Sequence, residues 1–129
     1  MAFFGKIEYR TRTVSCRGKR FRVEVADSFR KMAVGLMDHA GLGPREGMLF
    51  IFEKEGRYGF WMLNMKFSID ILWLDRNGTV IYIWENAEPC KSILSCRSVK
   101  PGKDSKYVIE LRSGTSRKLG IKTGDRFRL

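Results

Sequence analysis

The sequence predicts a mainly β fold, a compact β-barrel or jelly-roll-like sandwich with one helix in its N-terminal half and a short helix near its end. Three observations carry that prediction. Many short runs read as strands, either alternating in polarity or apolar throughout, and turn residues separate them. Only the segment after Asp27 takes up a helical period over any length. The stretch from Gly47 to Asp75, GMLFIFEKEGRYGFWMLNMKFSIDILWLD, gathers three apolar runs, two of the three tryptophans and three of the six methionines, and the rest of the chain is organised around it. A chain of 129 residues suits one domain, and at that length folding buries roughly 65–70% of the unfolded surface without staples.

Taken in order, Lys6 to Val14 (KIEYRTRTV) alternates charged and β-favouring residues, as an edge strand with one wet face does. Arg17-Gly18-Lys19 turns the chain into Arg20 to Ala26, which sets Phe21, Val23 and Val25 on one face and Arg20, Arg22 and Glu24 on the other. Asp27 or Ser28 is a suitable N-cap for a helix over Ser28–Met37, whose inner face holds Phe29, Met32, Ala33, Leu36 and Met37. Gly35 inside that helix costs up to about 1 kcal/mol relative to alanine and points to close packing there. After a loop with Gly41, Gly43 and Pro44, Met48 to Phe52 is apolar at every position and reads as a strand covered on both faces. A polar link over Glu53 to Arg57 leads to a strand at Tyr58–Met62. Ile69 to Leu74 is again apolar on both faces except at Asp70. Asp75-Arg76-Asn77-Gly78 signals a hairpin, with Asn-Gly supplying the positive φ of a tight primed turn, and Thr79–Trp84 returns. Glu85 to Lys106 has little periodicity and reads as a long loop of the functional or mobile kind. Tyr107–Leu111 is a strand with Glu110 as its one charge, Thr115–Leu119 a short helix closed by Gly120, and Arg126–Leu129 a last strand.

Composition narrows the function classes. The 43% hydrophobic and 30% charged fractions are those of a soluble globular protein, and no apolar run approaches the roughly 18–20 residues of a spanning helix. The opening MAFFGKIEYRTRT lacks the apolar core and small-residue cleavage site of a signal peptide, so the chain reads as cytoplasmic. The net charge of +11 belongs to the two ends: residues 1–22 carry +6 and residues 97–129 carry +7, while the middle carries −2. If both ends join one sheet they form a basic face, either a solubilising surface or one suited to nucleic acid. The cysteines are Cys16, Cys90 and Cys96. A Cys90–Cys96 loop closes sterically, although a reducing cytosol keeps such a pair open outside hyperthermophiles.

The candidate site begins with Asp70, because an aspartate among apolar residues must be paired, capped or open to a cleft. Asn64 lies six residues earlier across a bend at Lys66-Phe67-Ser68. One reading makes Asn64 and Asp70 the polar anchors of an aromatic cleft lined by Phe60, Trp61 and Trp73, a recipe for recognising a small molecule, sugar-like ones included. The other has Asp70 accepting backbone N–H groups or an arginine and fixing the corner. Glu46 and Glu110 are the carboxylates that would complete a general acid–base pair with Asp70, as a hydrolase requires. His39 is the one histidine, and with the three cysteines it matches no familiar zinc spacing. The methionines read as core filler ahead of copper ligands. There is no Gly-rich phosphate loop, nucleophile elbow or HExxH, so no cofactor and no metal is expected.

The segments VEVADSFRKMAVGLM, EGMLFIF, GFWMLNMKFSIDILWLD, ENAEPC and YVIEL followed by GTSRKLGIKTGDRFRL resemble, in order and spacing, the domain of unknown function 192 family. The resemblance runs from about Phe21 to Leu129 and implies a compact β-barrel or jelly-roll-like domain with a helix near its start. The family's biochemical role is unassigned, and many members sit behind signal peptides. Its pattern after the Trp-Met pair is similar to Lys-Asn-Thr, with a proline two residues before the aspartate. Here those positions hold Leu63, Asn64, Met65 and Ser68, so Asn64 and Asp70 are kept while the lysine and the proline are not. Secreted members would oxidise the pair matching Cys90 and Cys96. The resulting expectation is a non-enzymatic domain that binds a small molecule or a protein, with nucleic acid and a carboxylate hydrolase as the alternatives.

Overall fold

A computed structural model describes residues 6–129. The elements are β1 (Thr11–Cys16), β2 (Lys19–Ala26), α1 (Phe29–Val34), β3 (Glu46–Gly56), β4 (Phe60–Trp61), β5 (Ile69–Leu74), β6 (Val80–Ala87), β7 (Ser98–Val99), β8 (Ser105–Arg112) and α2 (Thr115–Leu119). The mainly β class expected from the sequence holds. Six strands form one sheet in the order β1-β2-β3-β8-β5-β6, with β2 and β3 parallel and the other pairs antiparallel, and β4 pairs with β7 separately.

The central strands are apolar on both sides because each side has its own core. On one face Leu49, Leu72, Ile109 and Leu111 meet Phe21, Ile121 and Phe127. On the other, Met48, Phe50, Ile71, Trp73 and Val108 meet Leu36, Met62 and Val99. Alternation along the strands produces the division, since successive side chains leave on opposite faces. The sheet curls enough that Val14 of β1 and Val80 of β6, on its two edge strands, share the first core. It is not a closed barrel. Among the described residues the edges are linked through the C-terminal segment, by isolated bridges of Ser15 with Arg128 and Thr79 with Arg126. The expected strand Arg126–Leu129 is reduced to those bridges.

Several boundaries differ from the sequence expectation for identifiable reasons. Strand β1 starts at Thr11 and not at Lys6, because β2 ends at Ala26 and its last bond toward this segment is Val25 N–H to Arg10 O. The expected helix over Ser28–Met37 is only Phe29–Val34. Ser28 caps it by accepting from Lys31 N–H, and Gly35 ends it at φ 52°, a left-handed value that a helix interior excludes. Phe29 is 90% exposed, whereas the helical face was expected to bury it. The polar link after Phe52 is mostly strand, since β3 continues to Gly56. Tyr58–Met62 shortens to Phe60–Trp61 because its partner β7 offers two residues. That partner, and the end of β6, lie within the span expected to be loop.

The β5–β6 hairpin forms where predicted, but its turn is not a primed one. Gly78 alone takes a positive φ (83°), and the Asp75 carboxylate accepts from Asn77 and Thr79 N–H at 2.8 and 3.0 Å. A Cβ at Gly78 would also stand 2.5 Å from the Phe127 carbonyl oxygen, so the turn and the C-terminal segment both require glycine there. Gly47 has a different reason: a Cβ on it would meet the Glu110 carbonyl oxygen at 2.3 Å, which lets β3 approach β8 closely.

Candidate functional site

Strands β5 and β8 run side by side with Asp70 opposite Leu111 and Ile71 opposite Glu110. Asp70 therefore leaves the sheet on the face of Leu72 and Leu111, and Glu110 on the face of Ile71 and Val108. Both carboxylates are buried, at 0% and 5% exposure, and their surroundings are opposite in kind.

The Asp70 carboxylate is fully engaged. Its Oδ1 accepts from Asn86 N–H at 2.9 Å and Gly114 N–H at 3.2 Å, and its Oδ2 accepts from Ser116 N–H at 2.9 Å. Three backbone donors bring together β5, the end of β6 and the first turn of α2. Asn86 holds a positive φ of 49°, which aims its N–H at Asp70. Thus Asp70 fastens α2 over the first core. This is the backbone-capped arrangement that the sequence offered as the alternative to a ligand anchor.

Glu110 has no hydrogen bond or ion pair among the described residues. Its side chain lines a cavity of about 460 Å³ bounded by α1, the outer part of β3 and the segment from Tyr58 to Met65. Phe29 and Met32 from α1, Phe52 from β3, Phe60 and Trp61 from β4, and Met65 supply most of the apolar wall. Burial pushes the Glu110 carboxyl up to about 8, because no partner stabilises the charged form. Trp61, 46% exposed, and Phe29 stand at the mouth. Among the described residues no lysine, arginine or histidine lines this cavity. The volume falls within the range of small-molecule pockets, and the lining is of the usual apolar kind with one polar group.

The sequence-derived candidates separate into groups on this geometry. Phe60, Trp61 and Glu110 come together in the cavity. Trp73 lies behind it, fully buried, edge-on to Phe60 at 5.7 Å, with its indole N–H donated to Tyr58 O at 2.8 Å. Asn64 is exposed at a turn, takes a left-handed φ of 61° that asparagine tolerates, and donates its N–H to Cys90 O. It shares no pocket with Asp70. Glu46 is exposed and accepts from Gly43 N–H at 2.6 Å, away from the cavity. The sheet itself stands between Asp70 and Glu110, so the acid–base pair needed for a hydrolase is not assembled.

Cys90 and Cys96 are joined by a disulfide, with 5.5 Å between their Cα atoms. The Leu63–Cys90 bridge ties that loop to the segment bearing Trp61. Cys16 is a buried free thiol, pushed up to about 11 chiefly by burial. His39 lies between Asp38 and Glu24. Among the described residues no cluster of metal-ligating side chains occurs, and no helix is long and apolar enough to cross a membrane. What the sequence did not single out as site residues are Phe29, Met32, Phe52, Tyr58 and Met65. Their signal was present only as an excess of methionine and aromatic residues, which equally describes a core.

Residues 11–129 match the family described as Uncharacterized ACR, DUF192. The chain belongs to this DUF192 family. A UPF0127 protein of Pyrococcus abyssi is 33% identical over 127 residues, covering 95% of each chain. Another, from Pyrococcus horikoshii, is 32% identical over 111 residues, covering 82% of this chain and 85% of the relative. Among solved structures, a proposed transcription regulator of Sinorhizobium meliloti superposes with a TM-score of 0.89 at 31% identity, covering 96% of this chain and 97% of that one. A protein of unknown function from Novosphingobium aromaticivorans gives 0.82 at 28% identity, over 92% and 85%. The DUF192 family thus accounts for the fold along nearly the whole chain, and its function is unknown.

Proposed function

We propose that this DUF192 protein is a non-enzymatic small-ligand-binding domain whose ligand occupies the cavity over Glu110, between Phe60, Trp61 and the face of α1. The single observation that carries the reading is a buried carboxyl without a partner in an apolar cavity of about 460 Å³. Its carboxyl oxygens are not fully enclosed but reach the cavity, where a bound molecule can meet them. In this reading Asp70 and Asn64 are positioning residues. Asp70 ties β5 to the end of β6 and to α2, and Asn64 turns the segment that presents Trp61.

The test uses the neutral fluorophore N-phenyl-1-naphthylamine, titrated into the protein. Binding is expected to raise its emission, and at about 100 times the dissociation constant to stabilise the fold by about 2.7 kcal/mol. Trp61→Ala, an exposed change, is expected to leave the melting temperature in place while weakening the fluorophore several-fold. A probe that does not bind, or that binds Trp61→Ala as tightly as the wild type, would count against the cavity.

A second reading draws on the two basic ends. Ser15 and Arg128 exchange backbone hydrogen bonds, so the C-terminal segment lies along the β1 edge near Arg17, Lys19 and Arg20. With the Sinorhizobium relative described as a proposed transcription regulator, nucleic acid is the ligand for this edge. Binding to short duplex DNA that weakens steeply with added salt is its expected mark, and salt-independent or absent binding removes it.

A further inference from the structure

The lining of the cavity discriminates between kinds of ligand, and this inference rests on the cavity reading above. Among the described residues its wall offers aromatic rings, methionine sulfurs and one carboxyl, and no basic side chain. An anionic ligand would find no counter-charge there and would face the Glu110 carboxyl. A neutral apolar ligand would leave that carboxyl without a partner. A molecule with an apolar body and a cationic amine would satisfy both parts. The ammonium meets a carboxylate by a charge-assisted bond, and the faces of Phe60, Trp61 and Tyr58 attract a cation through their ring quadrupoles. We propose that the cavity is a binding site for an amphipathic organic amine, whose ammonium group pairs with Glu110 while its apolar part lies among Phe52, Phe60, Trp61 and Met65.

The groups facing Glu110 leave it as the acceptor in the cavity. On β3 its neighbour is Met48 and on β5 it is Ile71. From α1 the cavity is also lined by Phe29 and Met32, and from the segment after β3 by Tyr58. Tyr58 is the other titratable lining residue, and its hydroxyl is already donated to the Lys54 carbonyl. Because burial raises the Glu110 carboxyl to about 8, an incoming ammonium displaces a proton near neutral pH. Amine affinity should therefore rise as the pH is raised from 6 to 8, with no matching rise for an uncharged ligand of the same shape.

Displacement of N-phenyl-1-naphthylamine by n-octylamine, n-octanol and n-octanoate, which share one chain length, tests the assignment. The amine is expected to displace the fluorophore at about tenfold lower concentration than the alcohol, with octanoate weakest. In Glu110→Gln, and in Glu110→Met as a second variant, the amine and the alcohol should displace the fluorophore at similar concentrations, the ratio being read within each variant. Equal potency of amine and alcohol on the wild type, or a preference that survives in both variants, would overturn the assignment while leaving the cavity standing. Failure of the fluorophore to bind wild type and variants alike would overturn the cavity reading and this assignment with it.

Discussion

Two buried carboxylates on neighbouring strands of one sheet meet opposite fates in this fold. Asp70 points to the face covered by α2 and the C-terminal segment, and three backbone N–H groups complete it. Glu110, one residue out of step across the β5–β8 ladder, points to the face covered by α1, and no described group completes it. Burial alone therefore does not separate a carboxylate completed by the fold from one left open to a cavity. What separates them is whether their hydrogen-bonding capacity is already used.

The largest expected effect falls on the satisfied partner. Asp70→Ala leaves the buried Ser116 N–H and the N–H groups of the exposed Asn86 and Gly114 without their carboxylate, and should lower stability by about 3 kcal/mol or more, measured by urea unfolding. A loss below about 1 kcal/mol would mean that water replaces the carboxylate, and would break the contrast. Next comes Gly47→Ala, which drives a methyl group against the Glu110 carbonyl oxygen. Overpacking of this kind costs typically about 1–3 kcal/mol, and because it disturbs the β3–β8 spacing it should also weaken fluorophore binding. Retention of both stability and binding would show that the cavity does not depend on that spacing. Smallest is Glu46→Gln, which alters one exposed hydrogen bond and should change stability by no more than about 0.5 kcal/mol, with binding unaffected. Any loss of binding there would enlarge the site beyond the cavity.

Much of this contrast was legible in the sequence, but not which carboxylate was which. The strand from Ile69 to Leu74, the short helix from Thr115 to Leu119 and the hairpin around Asn77-Gly78 follow from local patterns, and they appear where expected. Asp70 was recognisable as a polar residue that had to be satisfied. Its partners were not, because Asn86, Gly114 and Ser116 are 16 to 46 residues away. Glu110 carried the same warning as the one charge in an apolar strand. Its cavity depends on α1 ending at Gly35 and on Phe29 standing clear of the core, and neither follows from helical period alone. Asn64 shows a related point: it takes a left-handed backbone conformation, which a sequence pattern displays as a polar side chain near an aspartate.

The measurement that tests the central claim most directly is the stability of wild type and Glu110→Gln, by urea unfolding, from pH 4 to pH 9. The folded Glu110 pKa is raised from 4.5 to about 8 by burial. Its favourable contribution is therefore fully present below the unfolded value and is lost as the pH rises through the folded one. The stability of wild type relative to Glu110→Gln should fall by a few kcal/mol, at about 1.4 kcal/mol per pKa unit, across that window and then level off. A difference between the two proteins that stays constant from pH 4 to 9 would mean that Glu110 is paired or solvated in the folded protein, and would contradict the account.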